Sequence, residues 1–475
     1  MSLRFDEYRR FDALGLAQAI RRGDLSSHEV LDAALARLHA INPQVNAVTH
    51  LSDAAIDAAR RATPAGPLGG VPYFIKDLHA PVQGMPLTHG SRLFADQRMD
   101  FDSETVARLR RAGLRILGRT ATPEFGMSAS TEPLLTGPTR NLWALGHSAG
   151  GSSGGAAAAV AAGIVPASHA TDSGGSIRIP AACNGLVGLK PTRGLLPTGP
   201  HRGEASHGLS HEHAVTRSVR DCAALLDATA GPDAGAPYFT ARPAEPFLAL
   251  IARPPRRLRI AFTTETFAHR AIDPECQAAV RTAVACLREL GHEVIEGAPP
   301  FDSGELGSAS SLLLLTGLAA QVQAREAALG RAAREDELEP LTWLAVRLGR
   351  SVSGITYASQ FARINTQVRR IGRFFESVDM LLTPTTATPP PALGVLSTQT
   401  HTLESFQQAM AAFCPFTGAF NATGQPAISL PLHWTPDGLP VGVQLVGRFA
   451  DDATVLQLAA DIERARPWFD RTAPL

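Results

Sequence analysis

The sequence of 475 residues predicts an α/β protein, and three observations predict it. Residues 258–295 read as strand, helix and strand in succession, the β-α-β unit of a parallel sheet. Two apolar segments, 427–432 and 441–446, flank Asp437-Gly438, a hairpin-type turn, and a helix-periodic stretch at 454–465 follows. Glycine-serine clusters at 150–155 and 172–176 bracket the alanine-rich run 156–162. Alanine favours helix and adds no bulk, so that run predicts a short, closely packed helix, with 164–171 a strand or buried connection behind it. A hydrophobic fraction of 44% against 19% charged residues supplies an ample core.

The elements follow in order. Residues 11–40 carry helical periodicity in two pieces: Leu14, Ala17 and Ile20, then Val30, Leu31, Ala34 and Leu38. Ser26 and Ser27 are cap candidates, Glu29 lies in the first turn of the second piece, and Ile41-Asn42-Pro43 should end it. Residues 45–48 read as a short strand, 52–62 as a helix, and 71–75 as a buried strand with Lys76 at its carboxyl end. An amphipathic helix at 103–111, a strand at 114–117 and a loop at 118–126 come next, and 127–133 is a candidate pocket wall. Residues 199–213 hold four of the fifteen histidines, His201, His207, His211 and His213. Such a cluster raises zinc, but no HExxH motif or cysteine partner accompanies it, so the segment reads as a mobile, polar loop on the substrate side. A helix at 218–229 and a Pro/Ala-rich connection at 231–257 precede the β-α-β unit. Residues 303–375 look mainly helical and peripheral, and 378–385 is a buried strand before Pro389-Pro390-Pro391.

Composition excludes several classes of function. Lys plus Arg equals Asp plus Glu at 44 each, so no overall field draws the chain to nucleic acid or an anionic membrane. Four Tyr and four Trp offer few platforms for stacking bases. The longest apolar runs fall short of the roughly 20 residues of a spanning helix. The start is charged from Arg4 onward without the apolar segment of a secretory signal. Five cysteines, an odd number without metal-ligand spacing, suit reduced thiols, and the expected location is cytoplasmic.

The chemistry concentrates at 146–194. Gly-Ser stretches are often flexible linkers, but Ile177, Ile179, Leu186, Val187 and Leu189 make this one too apolar for that. Gly174 and Gly175 permit positive φ, which lets successive N–H groups converge beside Ser176 as an oxyanion hole. Pro180 suits a first helical turn, so Ser176 would stand on a tight turn at a helix entrance, a nucleophile's position. Gly146-His147-Ser148-Ala149-Gly150 matches the G-x-S-x-G elbow, yet the strand before it is weak and a second loop follows it, so Ser148 is a decoy. Lys76 is ordinarily a solvated strand terminus; desolvated, it would lose its proton readily and act as a base.

Residues 150–155 and Asp172-Ser173-Gly174-Gly175-Ser176-Ile177-Arg178-Ile179-Pro180 resemble the signature of the amidase signature family. Lys76 within Val71–Asp77 resembles the family's lysine segment, and 138–141, 188–192, 421–431 and 438–444 are similar to further family blocks. The resemblance runs from about residue 10 to the C-terminus and is weakest over 232–410. It implies a large mixed central β-sheet covered by helices on both faces, and a Ser–cis-Ser–Lys triad. Ser176 would be the nucleophile, Ser152, with a cis bond from Gly151, the relay, and Lys76 the base. Ser153 is the neighbour most easily confused with Ser152. The N–H groups of Ser173, Gly174, Gly175 and Ser176 would hold the oxyanion, Gly151, Asp172 and Arg178 would support the turn, and Phe125, Met127 and Ser128, with Leu313, would line the substrate pocket. No metal and no organic cofactor is implied.

The resemblance implies one domain over 1–475: an N-terminal helical segment (1–65), a signature core with Lys76, Ser152 and Ser176 (66–230), a variable, mainly helical substrate-side region (231–410) and a C-terminal sheet and helix (411–475). The expected activity is hydrolysis of a small amide through an acyl-enzyme, rising from neutral to alkaline pH, with ester or carbamate cleavage as side reactions. Ile179-Pro180 and Gly208–Ser210-His211-Glu212-His213 depart from the glutamine-hydrolysing amidotransferase branch, and 421–431 is similar to cyclic-dimer-hydrolysing members, which favours a hydrophobic, aryl or nylon-oligomer-like amide. The competing readings are that glutamine-hydrolysing subunit and a catalytically silent binding protein of the same fold. The expected partner is a small-molecule amide, not nucleic acid or membrane, and a homodimer is the assembly considered.

Overall fold

The computed structural model describes residues 3–474. Strands β1 (Val48–Leu51), β2 (Pro72–Lys76) and β3 (Arg115–Thr120) form a small sheet in the order β1-β3-β2, with β2 parallel and β1 antiparallel to β3. A ribbon of β4 (Arg140–Asn141) and β5 (Ala144–Ser148) follows. The other strands are β6 (Ala167–Asp172), β7 (Val187–Lys190), β8 (His211–Thr216), β9 (Arg259–Phe262), β10 (Glu293–Glu296), β11 (Met380–Pro384), β12 (Ala427–Trp434) and β13 (Pro440–Gly447). They build one mixed sheet of eight strands, ordered β10-β9-β11-β13-β12-β7-β8-β6, in which β10, β9 and β11 are parallel and the other neighbours antiparallel.

Every residue of β13 is buried, although alternate side chains point to opposite faces of a strand, so both faces of the sheet are covered. The helix Pro274–Glu289 joins β9 to β10 as the expected β-α-β unit, and Cys276, Ala279, Val280, Ala283 and Leu287 give it one apolar stripe. β12 and β13 pair across the turn at Gly438. The alanine-rich run forms the buried helix Gly154–Ala161.

Five expectations are corrected. The second N-terminal helix runs over Ser27–Val45, past Pro43, because Asn42 Oδ1 accepts the N–H groups of Ala47 and Val48 at 2.9 Å each and closes the end two residues later. β1 accordingly starts at Val48 rather than 45, and β3 continues to Thr120 into the expected loop. The end of the histidine-rich segment, 211–213, is strand rather than loop: β8 lies between β7 and β6, which buries His211 and His213. The helices Ser303–Leu329 and Gly354–Phe374 are only partly peripheral, since Leu306, Ala309, Leu313, Ile364 and Ile371 join the main core, while Ala345 and Val346 of Pro340–Arg350 pack in a smaller cluster. Four helices went unread, Phe5–Tyr8, Phe247–Leu250, Leu403–Phe413 and Gly418–Thr423. Among the described residues, no helix is long and apolar enough to cross a membrane.

Candidate active site

The small sheet meets the edge of the large one where Ser168 Oγ donates to the Phe74 carbonyl at 3.1 Å. This brings the carboxyl ends of β2 and β6 together, Lys76 beside Thr171 and Asp172. Lys76 is fully buried, and its Nζ donates to Ser152 Oγ at 2.7 Å and to Thr171 Oγ1 at 2.9 Å. Burial takes the ammonium well below its ordinary value of 10.5, against the smaller opposing pull of the Asp172 and Glu212 charges. The desolvated lysine of the two sequence readings is the one that forms.

Ser152 precedes the helix Gly154–Ala161, and the Gly151–Ser152 peptide bond is cis. A β-carbon at Gly151 would lie 2.6 Å from the Ser128 carbonyl oxygen, so this backbone approach requires glycine. Ser153 is spent on structure: its Oγ donates to the Thr171 carbonyl at 3.2 Å and accepts the Thr171 N–H at 3.3 Å. Ser152 is therefore the serine that faces Lys76.

Ser176 stands between the end of β6 and the helix Arg178–Asn184, half-buried, its hydroxyl without a hydrogen bond among the described residues. Asp172 shapes the turn, accepting the N–H of Gly175 at 2.7 Å and of Ile177 at 3.1 Å. Arg178 grips the same carboxylate with Nε at 2.9 Å and Nη2 at 2.8 Å, the bidentate geometry of a guanidinium fork. Its remaining donors reach Gln444 Oε1 at 2.6 Å, Asn421 Oδ1 at 2.7 Å and the Thr417 carbonyl at 3.0 Å. Burial alone would raise the Asp172 carboxyl; the Arg178 charge and the bonds from Arg178 and Asn421 outweigh it and hold the group well below the usual carboxylate range. The supporting pair is thus fully satisfied inside the protein.

Gly175 has φ +134, as the turn needs, but its N–H is committed to Asp172. Of the four N–H groups expected to converge, those of Ser173, Gly174 and Ser176 are left without an acceptor among the described residues, and Gly174 is exposed.

The substrate-side residues divide. The short turn Glu124–Gly126 lies against the relay serine, since a β-carbon at Gly126 would sit 3.0 Å from Ser152 Oγ. Phe125 is half-buried, stacked on His89 at 6.0 Å and edge-on to Phe94 at 5.5 Å. Met127 is also half-buried, its Sδ accepting from Thr342 Oγ1 at 3.7 Å. Ser128 instead turns inward, donating to the Leu396 carbonyl at 2.8 Å, so it ties two loops together and its hydroxyl is unavailable to substrate. Leu313 is core, 1% exposed. Ser148 ends β5, shares a 2.7 Å hydrogen bond with Ser130 Oγ and accepts the Gly150 N–H at 3.0 Å, a braced position without an elbow.

The four histidines go separate ways: His201 to Phe101, His207 to the Tyr357 hydroxyl, His211 to the Asp172 carbonyl and His213 to Cys222. Reading the sequence missed Thr171, Thr417, Asn421 and Gln444. Asn421 and Gln444 lie in blocks the resemblance had marked, but no local signal gave Thr171 its bond across 95 positions.

The Amidase family profile matches residues 29–456. The 6-aminohexanoate-cyclic-dimer hydrolase of Paenarthrobacter ureafaciens is 38% identical over 482 residues, covering 98% of this chain and 96% of its own. A solved structure of 6-aminohexanoate cyclic dimer hydrolase superposes with a TM-score of 0.92 at 37% identity over 98% of both chains. A bacterial aryl acylamidase superposes with a TM-score of 0.87 at 27% identity, covering 98% of this chain and 99% of its own. With this fold, and with a near-complete match to the profile and to amide-cleaving relatives, the chain belongs to the amidase signature family and is an amidohydrolase.

Proposed function

We propose that the chain hydrolyses a small hydrophobic amide through an acyl-enzyme on Ser176, with Ser152 as proton relay and Lys76 as base. The observation that carries this reading is the 2.7 Å hydrogen bond between a fully buried Lys76 and Ser152 Oγ. Ser176 Oγ attacks the amide carbon; its proton passes to Ser152 Oγ as Ser152 gives its own to neutral Lys76. The N–H groups of Ser173, Gly174 and Ser176 face the developing oxyanion. The C–N bond then breaks as the nitrogen takes a proton back through Ser152, and water repeats the sequence on the ester to free the acid and restore Ser176. The relatives named for a cyclic nylon dimer and for aryl amides support a hydrophobic amide, with ester and carbamate cleavage within reach of the same nucleophile.

A serine-directed fluorophosphonate followed by peptide mass mapping tests the assignment. The expected adduct is on Ser176 and disappears in Ser176→Ala; an adduct on Ser148 would contradict it.

A further inference from the structure

Glu212 is a carboxylate on the lysine's side of the sheet that the proton relay does not use. Strands β6 and β8 pair antiparallel, with Thr171 directly opposite Glu212 and Asp172 opposite His211. Directly opposed side chains share one face of a sheet, and successive ones alternate between the two faces. Thr171 bonds Lys76 Nζ at 2.9 Å, so Glu212 projects on the face that meets the lysine, while Asp172 projects on the other. His169, two residues before Thr171, is on the lysine's face too and meets Glu212 Oε2 through Nε2 at 3.4 Å. Among the described residues that is the one hydrogen bond to the Glu212 carboxylate, on a residue only 8% exposed. The two carboxylates near Lys76 therefore differ. A guanidinium grips Asp172 at 2.8 and 2.9 Å, whereas no arginine or lysine pairs with Glu212 among the described residues.

A buried carboxylate with so little pairing is costly in a resting protein. Each turnover gives it a use, because the proton leaves Ser176 Oγ, passes through Ser152 Oγ and stays on Lys76 Nζ until the departing nitrogen takes it. A fully buried ammonium without a counter-charge is strongly disfavoured. Glu212 supplies that charge without touching Nζ, so the neutral lysine stays free to take the proton. We propose that Glu212 is a positioning residue for the reaction, the counter-charge to the ammonium that Lys76 becomes, with His169 fixing its carboxylate. The assignment rests on the reading of Lys76 as base. The Glu212 charge does act on Lys76, raising it against the larger effect of burial, as the Asp172 charge does from the other face. Around Glu212 stand His169, Arg202, which acts on it through space, and His79 and His89, both kept neutral by burial. Arg193 and Glu204 face it across the cavity on its other side.

The test is the pH profile of Ser176 labelling by a fluorophosphonate. Glu212→Gln keeps the shape and still accepts from His169, but the ammonium loses its counter-charge, so the midpoint should move about one pH unit lower. Glu212→Asp, with the charge one methylene back, should stay nearer the wild-type midpoint. Circular-dichroism melting checks that each variant folds. Glu212→Leu, which needs no partner, should give the same shift if the amide destabilises β8. An unmoved midpoint in a folded, uncharged variant, or equal shifts in Glu212→Gln and Glu212→Asp, would overturn the counter-charge. A wild-type titration that survives in Lys76→Ala would instead overturn the reading of Lys76 as base, so the two failures are distinguishable.

Discussion

Among the described residues Lys76 has no carboxylate in hydrogen-bond contact, only the hydroxyls of Ser152 and Thr171, and that is why burial governs its proton. A base and a relay joined by one hydrogen bond act as a unit. Lys76→Ala and Ser152→Ala should therefore each lower kcat by about 10²–10⁴, and the double variant should be no worse than the worse single one. Steady-state kinetics on any turned-over amide checks this; additive losses would mean separate roles. Asp172→Asn leaves the buried Arg178 charge uncompensated and should cost about 3–5 kcal/mol, read from the urea midpoint. At this scale the sequence exposed Ser176, Ser152, Asp172 and Arg178, because glycine spacing marks a turn and the family blocks mark its neighbours. It could not expose the loss of the Gly175 N–H to Asp172, which depends on where one carboxylate oxygen points.

Among the elements, the turn Glu124–Gly126 determines what surrounds Ser152. Glu124 is buried, accepting from Ser91 Oγ at 2.6 Å and from the Glu339 N–H at 2.8 Å, where the helix Pro340–Arg350 begins. Burial, then the Glu339 charge, raises its carboxyl from 4.5 to about 7. A raised acid contributes stability that is full below the unfolded value and lost as pH climbs through the folded one. Stability should thus decline between about pH 4.5 and 7 on this account, and Glu124→Gln should remove that part of the slope in urea titrations. An unchanged slope would mean the carboxyl ionises without cost. Helical and strand periods located most elements, since burial on one face writes itself into spacing. Ser128 and β8 were misread for the complementary reason: polar residues satisfied inside by partners distant in sequence look like loop.

Across the whole molecule, the C-terminal hairpin is central rather than terminal. β13 sits between β11 and β12, and β12 pairs with β7, so these two strands join the parallel trio β10-β9-β11 to β7-β8-β6. Asn421 and Gln444 of the same region hold Arg178. A chain ending at residue 410 should lack a cooperative thermal transition by circular dichroism and should not label at Ser176. A folded, labelled truncation would contradict this dependence. The α/β class was legible from one β-α-β unit and one hairpin. The strand order was not, because pairing in a mixed sheet links segments hundreds of positions apart.

The central claim, that a buried neutral Lys76 activates Ser176 through Ser152, is tested most directly by the fluorophosphonate labelling rate of Ser176 as a function of pH, which requires no knowledge of the substrate. The rate should rise with pH and level off well below 10.5, and in Lys76→Ala it should fall by about 10² or more and lose that titration. A flat profile, or Lys76→Ala labelling at the wild-type rate, would contradict the account.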